Sequence, residues 1–231
     1  YLRLVDSEID NSGAIYSIGT YVDSVDFGGT VNPLIKVSSN GTWDSFVKKV
    51  DASGNLVWLK TFSENLNCWL ANIEVGSDSS VYIFGSYRGG IIDLDPDPNQ
   101  THLVSSGTHG KANFVIKLDA NGNFVWGNIH EGTVRCQKLK LDDIGNLYVM
   151  FPYDTLLDVD PSPLSQNIVA STIQGNNDLF IEKLDVATGN QVDWTGLTVP
   201  LGSATLVLTV DATVNAPTGA AGEYLNGVEI T

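Results

Sequence analysis

Hydrophobic side chains recur at every second position in short stretches of this chain, which is the spacing of β-strands that bury one face. Phe114, Ile116 and Leu118 form one such stretch, and their period of two predicts a strand. Residues 119–122, Asp-Ala-Asn-Gly, follow with Asp at the first position of a turn and Gly where φ must be positive. The pattern therefore predicts a strand, a tight turn and a second strand.

The strand–turn–strand pattern occurs three times along the chain, in residues 44–58, 112–126 and 178–194. Two further blocks repeat between these segments. The residues that mark the period are Phe46, Phe114 and Phe180; Tyr16, Tyr82 and Tyr148; and the stretches 25–27, 92–96 and 157–161. The tyrosines are 66 residues apart both times, and the phenylalanines are 68 and 66 residues apart. One period shared by three blocks indicates a tandem repeat.

Each repeat is predicted to form four antiparallel strands. In the second repeat these are expected near residues 69–75, 81–87, 112–118 and 123–130, with a long connection between the middle two. Tandem four-stranded meanders are typical of β-propeller blades. The sequence thus predicts an all-β chain with three blades of about 66 residues each. The expected blades are residues 1–62, 63–130 and 131–194.

Aromatic residues are the candidates for packing these blades together. A four-stranded sheet cannot cover both of its faces alone, so it must stack on its neighbours. Trp58 and Trp126 recur at the end of the pattern and are predicted wedges between blades, each burying on the order of 200 Å²; a ligand cage is the alternative. Phe46, Phe114 and Phe180 are the other packing candidates. Because propellers close with about four to eight blades, further blades are expected elsewhere in the same large protein, or a second copy covers the exposed faces.

A specific resemblance begins at residues 92–98, Ile-Asp-Leu-Asp-Pro-Asp-Pro, and continues through 103–107 to 114–126. These residues resemble the β-propeller repeats of exported Bacteroidetes proteins, which are often grouped with seven-bladed bacterial propeller repeats. Those repeats carry an Asp-Phe-Asp-Pro-Gly turn, a Leu-Thr-Ser-x-Gly strand and a Phe-Val-x-Lys-Leu-Asp-x-x-Gly-Asn-x-x-Trp hairpin. The first repeat of this chain departs from the turn, with Asp-Phe-Gly-Gly at 26–29. The resemblance implies a large adhesin or surface protein, extracellular or at the cell surface, exported by the type IX secretion system.

Residues 195–231 break the repeat. Their Gly-Ser-Ala-Thr-Leu at 202–206 and the closing Gly-Glu-Tyr-Leu-Asn at 222–226 are similar to the second half of an immunoglobulin-like repeat of bacterial surface proteins. We expect a short C-terminal β segment here. It either completes a sheet with another segment or is separated from its first half by residues that this sequence lacks.

Charge narrows the range of partners. The chain has 27 Asp and Glu against 12 Lys and Arg, for a net charge of −15, and such a field repels nucleic acids and anionic membranes. No stretch reaches the roughly 20 apolar residues of a membrane helix. The first residue is Tyr1 and no signal peptide follows, as expected for a piece of a longer protein. Cys68 and Cys136 form no CxxC pair, so two packed thiols and one disulfide are both open.

Catalytic signatures are missing from the sequence. It has no GxSxG, HExxH, P-loop or GxGxxG pattern, and His102, His109 and His130 are not spaced like metal ligands. A pair of carboxylates could serve a glycosidase, but among 27 acidic residues some pair always exists. We therefore expect a non-enzymatic protein without a resident cofactor.

An alternating acidic run in the second repeat is the one metal candidate. Asp93, Asp95 and Asp97 resemble the opening of a calcium loop, but Pro98 and Val104 stand where its glycine and glutamate belong. Asp and Pro are also favoured in plain turns. A turn and a weak calcium site are therefore both open.

Four further residues are candidates for surface chemistry. Ser24 and Thr155 lie in Asp-Ser/Thr-aliphatic triplets that match the O-glycosylation pattern of Bacteroidetes, and Trp43 and Trp69 lie outside the regular Trp position, where they could stack on a sugar. The leading hypothesis is a surface or secreted adhesin or structural module that presents blade loops to a protein or a glycan. A carbohydrate-binding propeller is the alternative, and a propeller glycoside hydrolase or lyase is a third hypothesis.

Overall fold

The fold is known from a computed structural model of the chain. The residues that it describes are 1–28, 32–62, 67–106, 110–131, 136, 138–142, 145–153, 156–158, 168–170, 178–189 and 191–192. They form β-strands and one turn of 3-10 helix, with no α-helix among them. The chain is thus all-β over its described part, as the alternating pattern predicts. The predicted β segment at 195–231 lies outside the described residues.

The first sheet shows how each repeat is built. Its strands are β1 (Leu2–Ile9), β2 (Ile15–Tyr21), β5 (Asp44–Val50) and β6 (Leu56–Phe62), paired antiparallel in the order β1-β2-β5-β6. The connection from β2 to β5 contains a two-stranded hairpin, β3 (Ser24–Asp26) and β4 (Ile35–Val37), and the 3-10 turn Ser39–Gly41. The predicted four-stranded meander is therefore present, with a decorated middle connection.

The second and third repeats have the same topology. The second sheet has β7 (Asn67–Val75), β8 (Val81–Arg88), β11 (Lys111–Leu118) and β12 (Phe124–Glu131), with the hairpin β9 (Ile91–Asp93) and β10 (Leu103–Ser105). The third sheet has β13 (Lys138–Leu141), β14 (Leu147–Tyr153), β17 (Asp178–Leu184) and β18 (Gln191–Val192), with the hairpin β15 (Leu156–Asp158) and β16 (Ile168–Ala170). In each sheet the order is first, second, third and fourth strand.

The repeated tyrosines occupy equivalent places in the three sheets. Each lies on the second strand, opposite a lysine of the third strand; the pairs are Tyr16–Lys49, Tyr82–Lys117 and Tyr148–Lys183. The lysine Nζ lies 4.7, 5.3 and 5.9 Å from the ring centroid in turn, a cation–π contact. The period of 66 residues thus corresponds to a structural repeat.

The turn between the third and fourth strands depends on a glycine in every sheet. Gly54, Gly122 and Gly189 have φ of 85°, 79° and 75°, a region that disfavours side chains with a Cβ. In the second sheet the Asp119 carboxylate accepts hydrogen bonds from the backbone N–H of Asn121 and Asn123 at 2.8 Å each. The sequence thus places Asp and Gly where the backbone needs an acceptor and a positive φ.

One buried carboxylate ties the first sheet to the second. Asp10 accepts hydrogen bonds from Ser12 Oγ at 2.6 Å, Ala14 N at 3.1 Å and Tyr16 Oη at 3.0 Å. Ser79 Oγ, on the first turn of the second sheet, donates to it at 3.3 Å. The donors of its own sheet, with the Ser12 hydroxyl first and then Ala14 N and Tyr16 Oη, hold the pKa of Asp10 far below its usual value.

Neighbouring sheets share their cores. The first core combines Tyr16, Ile18 and Val47 of the first sheet with Leu70, Ile73, Ile83, Phe114, Ile116 and Leu118 of the second. The second combines Tyr82, Phe84, Val115 and Trp126 of the second sheet with Leu139, Leu147, Val149, Phe151, Phe180 and Leu184 of the third. At each of these two contacts the earlier sheet contributes the face that carries its repeated tyrosine, and the later sheet contributes its opposite face. The first strands lie side by side, since β7 packs against β1 and β13 against β7.

A tryptophan makes the same kind of hydrogen bond across each of the two sheet–sheet contacts. Trp58 Nε1 donates to the carbonyl of Ala120 at 3.1 Å, and Trp126 Nε1 donates to the carbonyl of Val186 at 3.2 Å. Both carbonyls belong to the turn between the third and fourth strands of the following sheet, and we call this contact the Trp junction. Each indole also lies 6.0–6.2 Å from the repeated tyrosine of its own sheet.

Candidate functional site

A groove lies between β6 of the first sheet and the connection of the second repeat. Its volume is about 480 Å³. The residues that line it are Lys36, Leu59, Lys60, Thr61, Phe62, Asp93, Asp95, Pro96, Asp97, Pro98, Gln100 and Thr101. Two lysines and three aspartates thus face one space, together with hydroxyl and amide groups and an apolar surface.

The wall formed by residues 93–102 is a series of turns held by its own carboxylates. Asp93 Oδ1 accepts the backbone N–H of Asp95 at 3.0 Å and of His102 at 2.8 Å. Asp95 Oδ1 accepts the N–H of Asp97, and Asp97 Oδ1 that of Asn99, both at 2.9 Å. One oxygen of each carboxylate therefore holds the loop in this series of turns.

The first repeat anchors its connection in the same way, although it departs from the turn pattern. Asp26 Oδ1 accepts the backbone N–H of Gly28 at 2.9 Å and of Leu34 at 2.8 Å. Asp93 does the same in the second repeat, where its second donor lies nine residues later instead of eight. The Asp that recurs in both repeats is therefore an anchor of the hairpin.

The three aspartates do not form a metal cluster. Among the described residues, no three Asp, Glu, His or Cys side chains converge as metal ligands. Because Asp93, Asp95 and Asp97 each accept backbone N–H groups of their own loop, the hydrogen bonds favour the turn interpretation. The calcium site stays a prediction.

Charge in the groove is divided between its two walls. The backbone N–H of Asn99 and, further off, the Lys60 ammonium lower the pKa of Asp97, which is therefore ionised at neutral pH. Lys60 projects from β6, and Lys36 from β4 of the first hairpin. The groove thus offers ammonium donors on the wall of the first repeat, and carboxylate acceptors together with the Gln100 amide on the wall of the second.

Trp43 and Trp69 are exposed but separate from the groove. Trp43, just before β5, is 48% exposed, and Trp69, on β7, is 41% exposed; neither lines the groove. Ser45 Oγ donates to the carbonyl of Cys68 at 2.8 Å, which brings together the strand ends that carry the two tryptophans. Their role in sugar stacking stays a prediction.

The remaining candidates are placed as follows. Ser24 is exposed at the first residue of β3, while Thr155 and His109 lie outside the described residues. Phe46 and Phe114 are fully buried and Phe180 is 7% exposed. His130 Nε2 lies 2.7 Å from Glu182 Oε1, but their side chains are only 4% and 1% exposed. A substrate cannot reach that pair.

The two cysteines are free thiols. Burial raises the pKa of Cys68 and of Cys136 to about 12 in each case. A thiol with so high a pKa is a poor nucleophile at neutral pH. Of the two possibilities that the sequence leaves open, the structure has the packed thiols.

Sequence reasoning missed the lysines, Gln100 and Thr101 of the groove. The groove exists only because two repeats meet, so no single repeat contains it. One sequence signal was available: Lys60 stands two residues after Trp58, where the second repeat has Asn128. Asn128 Nδ2 donates to the carbonyl of Gly189 at 3.2 Å, so Lys60 replaces a junction residue with a charge.

Comparison with known proteins adds no relative. No protein-family model matches the chain, and no curated protein matches it significantly. Among the described residues, no helix has the length and hydropathy that a membrane span requires.

Proposed function

We propose that this chain is part of a non-enzymatic binding and structural module built on β-propeller-type stacking. Three sheets with one topology support the stacking, since their first strands are adjacent. The Trp junction recurs at both contacts. In such an array each sheet covers its neighbour, and the middle connections are left to contact partners.

The lining of the groove is the observation that supports a glycan as the ligand. Sugars offer hydroxyl groups that both donate and accept, and apolar ring faces. Asp95 and Asp97 can accept from such hydroxyls, while Lys60 and Gln100 can donate to them. Leu59, with the prolines of the opposite wall, supplies the apolar surface. A neutral oligosaccharide is the ligand that uses both walls.

A glycan array followed by calorimetry tests this assignment. The wild-type chain should bind a subset of the oligosaccharides, and Lys60→Ala or Gln100→Ala should weaken binding about tenfold or more, the effect of about one or two lost hydrogen bonds. Lys138→Ala, at an exposed lysine of β13 outside the groove, is the control and should bind like wild type. An array with no binding, or equal binding by all variants, refutes the glycan site.

A protein partner is the second candidate, favoured by the two connecting hairpins. Ile35 and Val37 are 60% and 69% exposed, and Ile91 and Leu103 are 58% and 62% exposed. Two hairpins that each present two aliphatic side chains form an apolar contact surface. Pull-down with purified surface proteins of the source organism should succeed with wild type and fail with Ile35→Glu; equal capture by both removes this candidate.

Export to the cell surface is proposed on the resemblance to Bacteroidetes repeats. Ser24 is exposed at the edge of a hairpin, where a transferase could reach its hydroxyl. Intact mass of the protein from its native source should exceed the sequence mass by a glycan, and Ser24→Ala should remove that increment. A mass equal to the sequence alone contradicts the proposed modification.

A further inference from the structure

The groove runs beside the edge of strand β6. Phe62 belongs to the core that the first sheet shares with the second, whereas Leu59 packs against Phe27 and Phe46 on the opposite face of the first sheet. Neighbouring residues of a strand point to opposite faces, yet the consecutive residues 59–62 all line the groove. Because residues of both faces line it, this space lies at the side of the strand and not above one face.

The backbone of β6 has hydrogen-bonding groups on the side of the groove. β6 is the last strand of its sheet, and among the described residues it pairs with β5 alone. In an antiparallel pair every second residue exchanges hydrogen bonds with the partner strand, and the residues between them direct their N–H and C=O groups away from it. The edge extends over the seven residues Leu56–Phe62, and it can therefore accept one further strand.

The walls on the two sides of this edge differ in charge. The connection of the second repeat contributes Asp93, Asp95 and Asp97, and the first hairpin contributes Lys36. Lys60 of β6 lies on the side of the aspartates, where one ammonium group faces three carboxylates. An added strand presents alternate side chains to the two walls. The strand that fits best therefore has a basic side chain toward the aspartates and an acidic one toward Lys36.

Charge favours a segment of another protein over a second copy of this chain at the β6 edge. The chain has a net charge of −15, so two copies repel each other. Pairing of β6 with β6 would also bring two Lys60 ammonium groups to one edge, and lysines on edge strands are a common protection against edge-to-edge association. The edge is therefore protected against copies of itself, while a segment with complementary charges can pair with it.

We propose that β6 binds an extended peptide segment of a partner protein by strand addition. The segment becomes a fifth strand of the first sheet. Its main-chain hydrogen bonds to β6 supply affinity, and its alternating basic and acidic side chains supply specificity. The proposal rests on the protein partner proposed above and names the part of that partner that binds. It does not require the glycan, which would compete with the segment for the groove.

Calorimetry of the 231-residue chain with short peptides tests the strand addition. The probes are acetylated and amidated heptapeptides in which a Lys is followed by a Glu at the centre, with Val, Thr or Ile elsewhere. At least one of them should bind. Methylation of one alternating set of its backbone nitrogens should weaken binding about tenfold or more, and methylation of the other set should leave it unchanged, because only one edge of the peptide faces β6. No binding by any peptide, or equal effects of the two sets, overturns the proposal.

Measurements on the chain itself locate the peptide. Amide hydrogen exchange should slow at alternate residues of β6 when the peptide binds, and an exchange pattern in β6 that the peptide leaves unchanged overturns the proposal. Lys36→Glu should weaken binding about fivefold or more, because a like charge then faces the acidic side chain. Lys138→Glu makes the same charge change at an exposed lysine outside the groove and should bind like wild type; equal weakening by both variants contradicts the assigned wall.

The failure of strand addition can be told apart from the failure of the proposed function. A protein partner that wild type captures and Ile35→Glu does not, together with no binding of any peptide, rejects strand addition and keeps the partner. Glycan binding without peptide binding likewise rejects strand addition alone. Peptide binding by a chain that binds no glycan supports strand addition and rejects only the glycan site.

Discussion

The three turn glycines provide a matched test of the Trp junction, because they differ mainly in what lies above them. Gly54, Gly122 and Gly189 share a positive φ of 75–85°, so alanine meets similar backbone strain at each, about 1–2 kcal/mol. The new Cβ would meet nothing described at Gly54, the end of the Lys60 side chain at 3.0 Å and the Trp58 ring at 3.1 Å at Gly122, and the Trp126 ring at 2.6 Å at Gly189. Because the end of the flexible Lys60 side chain can move aside, the difference in cost among the three reports mainly on the indole.

The distances set the order of the three effects. At 2.6 Å the Trp126 ring must move, and overpacking of this kind adds about 1–3 kcal/mol to the backbone strain. At 3.1 Å the Trp58 ring must yield by a few tenths of an ångström, so the added cost at Gly122 is smaller. The free energy of unfolding should fall most for Gly189→Ala, less for Gly122→Ala, and least for Gly54→Ala, by about 1 kcal/mol there.

Urea unfolding followed by far-UV circular dichroism measures these costs. Trp126→Leu supplies the internal control, because a smaller side chain makes room for the new methyl group. In that background Gly189→Ala should cost no more than Gly54→Ala does in wild type. Equal costs for the three glycines, or the largest cost at Gly54, would refute the Trp junction.

Three further predictions concern buried polar groups. The Ser12 hydroxyl and the backbone of the same turn lower the pKa of Asp10 in the folded chain. The ionised Asp10 therefore stabilises the fold at pH values above its unfolded pKa of about 4, and this stabilisation is lost as the pH falls below that value. Asp10→Asn should lower the free energy of unfolding at neutral pH and flatten the acid limb of a stability–pH profile. Glu182→Ile should cost about 3 kcal/mol by leaving His130 buried without its partner, and adding His130→Phe should recover most of it, as a double-mutant cycle in urea would show. Cys68 and Cys136 should not react with a thiol reagent at pH 8 in the folded chain and should both react after unfolding; no thiol after unfolding would mean a disulfide.

The topology of each sheet was predictable because its determinants are local. Alternating apolar residues such as Phe114 and Ile116 define strands, and Asp119 with Gly122 defines the turn that joins them. Because the pattern recurs about every 66 residues, the same structure is expected in each repeat. The strands of the second repeat were placed within two residues of those found.

The contacts between repeats were harder to predict because they depend on which faces meet. Trp58 was expected to be a wedge, but its hydrogen bond to Ala120 joins residues 62 positions apart, a pairing that no local pattern encodes. The contact between His130 and Glu182 was not predictable for the same reason. Neither residue departs from the pattern of its own strand, so nothing in the sequence indicates that the two meet. The groove was missed for this reason, as its Lys60 wall and its Asp95 wall belong to different repeats.

Nuclear Overhauser contacts of the tryptophan indole protons test most directly whether the repeats stack on one another. The Trp58 indole N–H should show contacts to Ala120 and Gly122, and the Trp126 indole N–H to Val186 and Gly189, with slow exchange against solvent at both. Contacts from either indole only to its own sheet, with rapid solvent exchange, would contradict the stacking on which the groove depends.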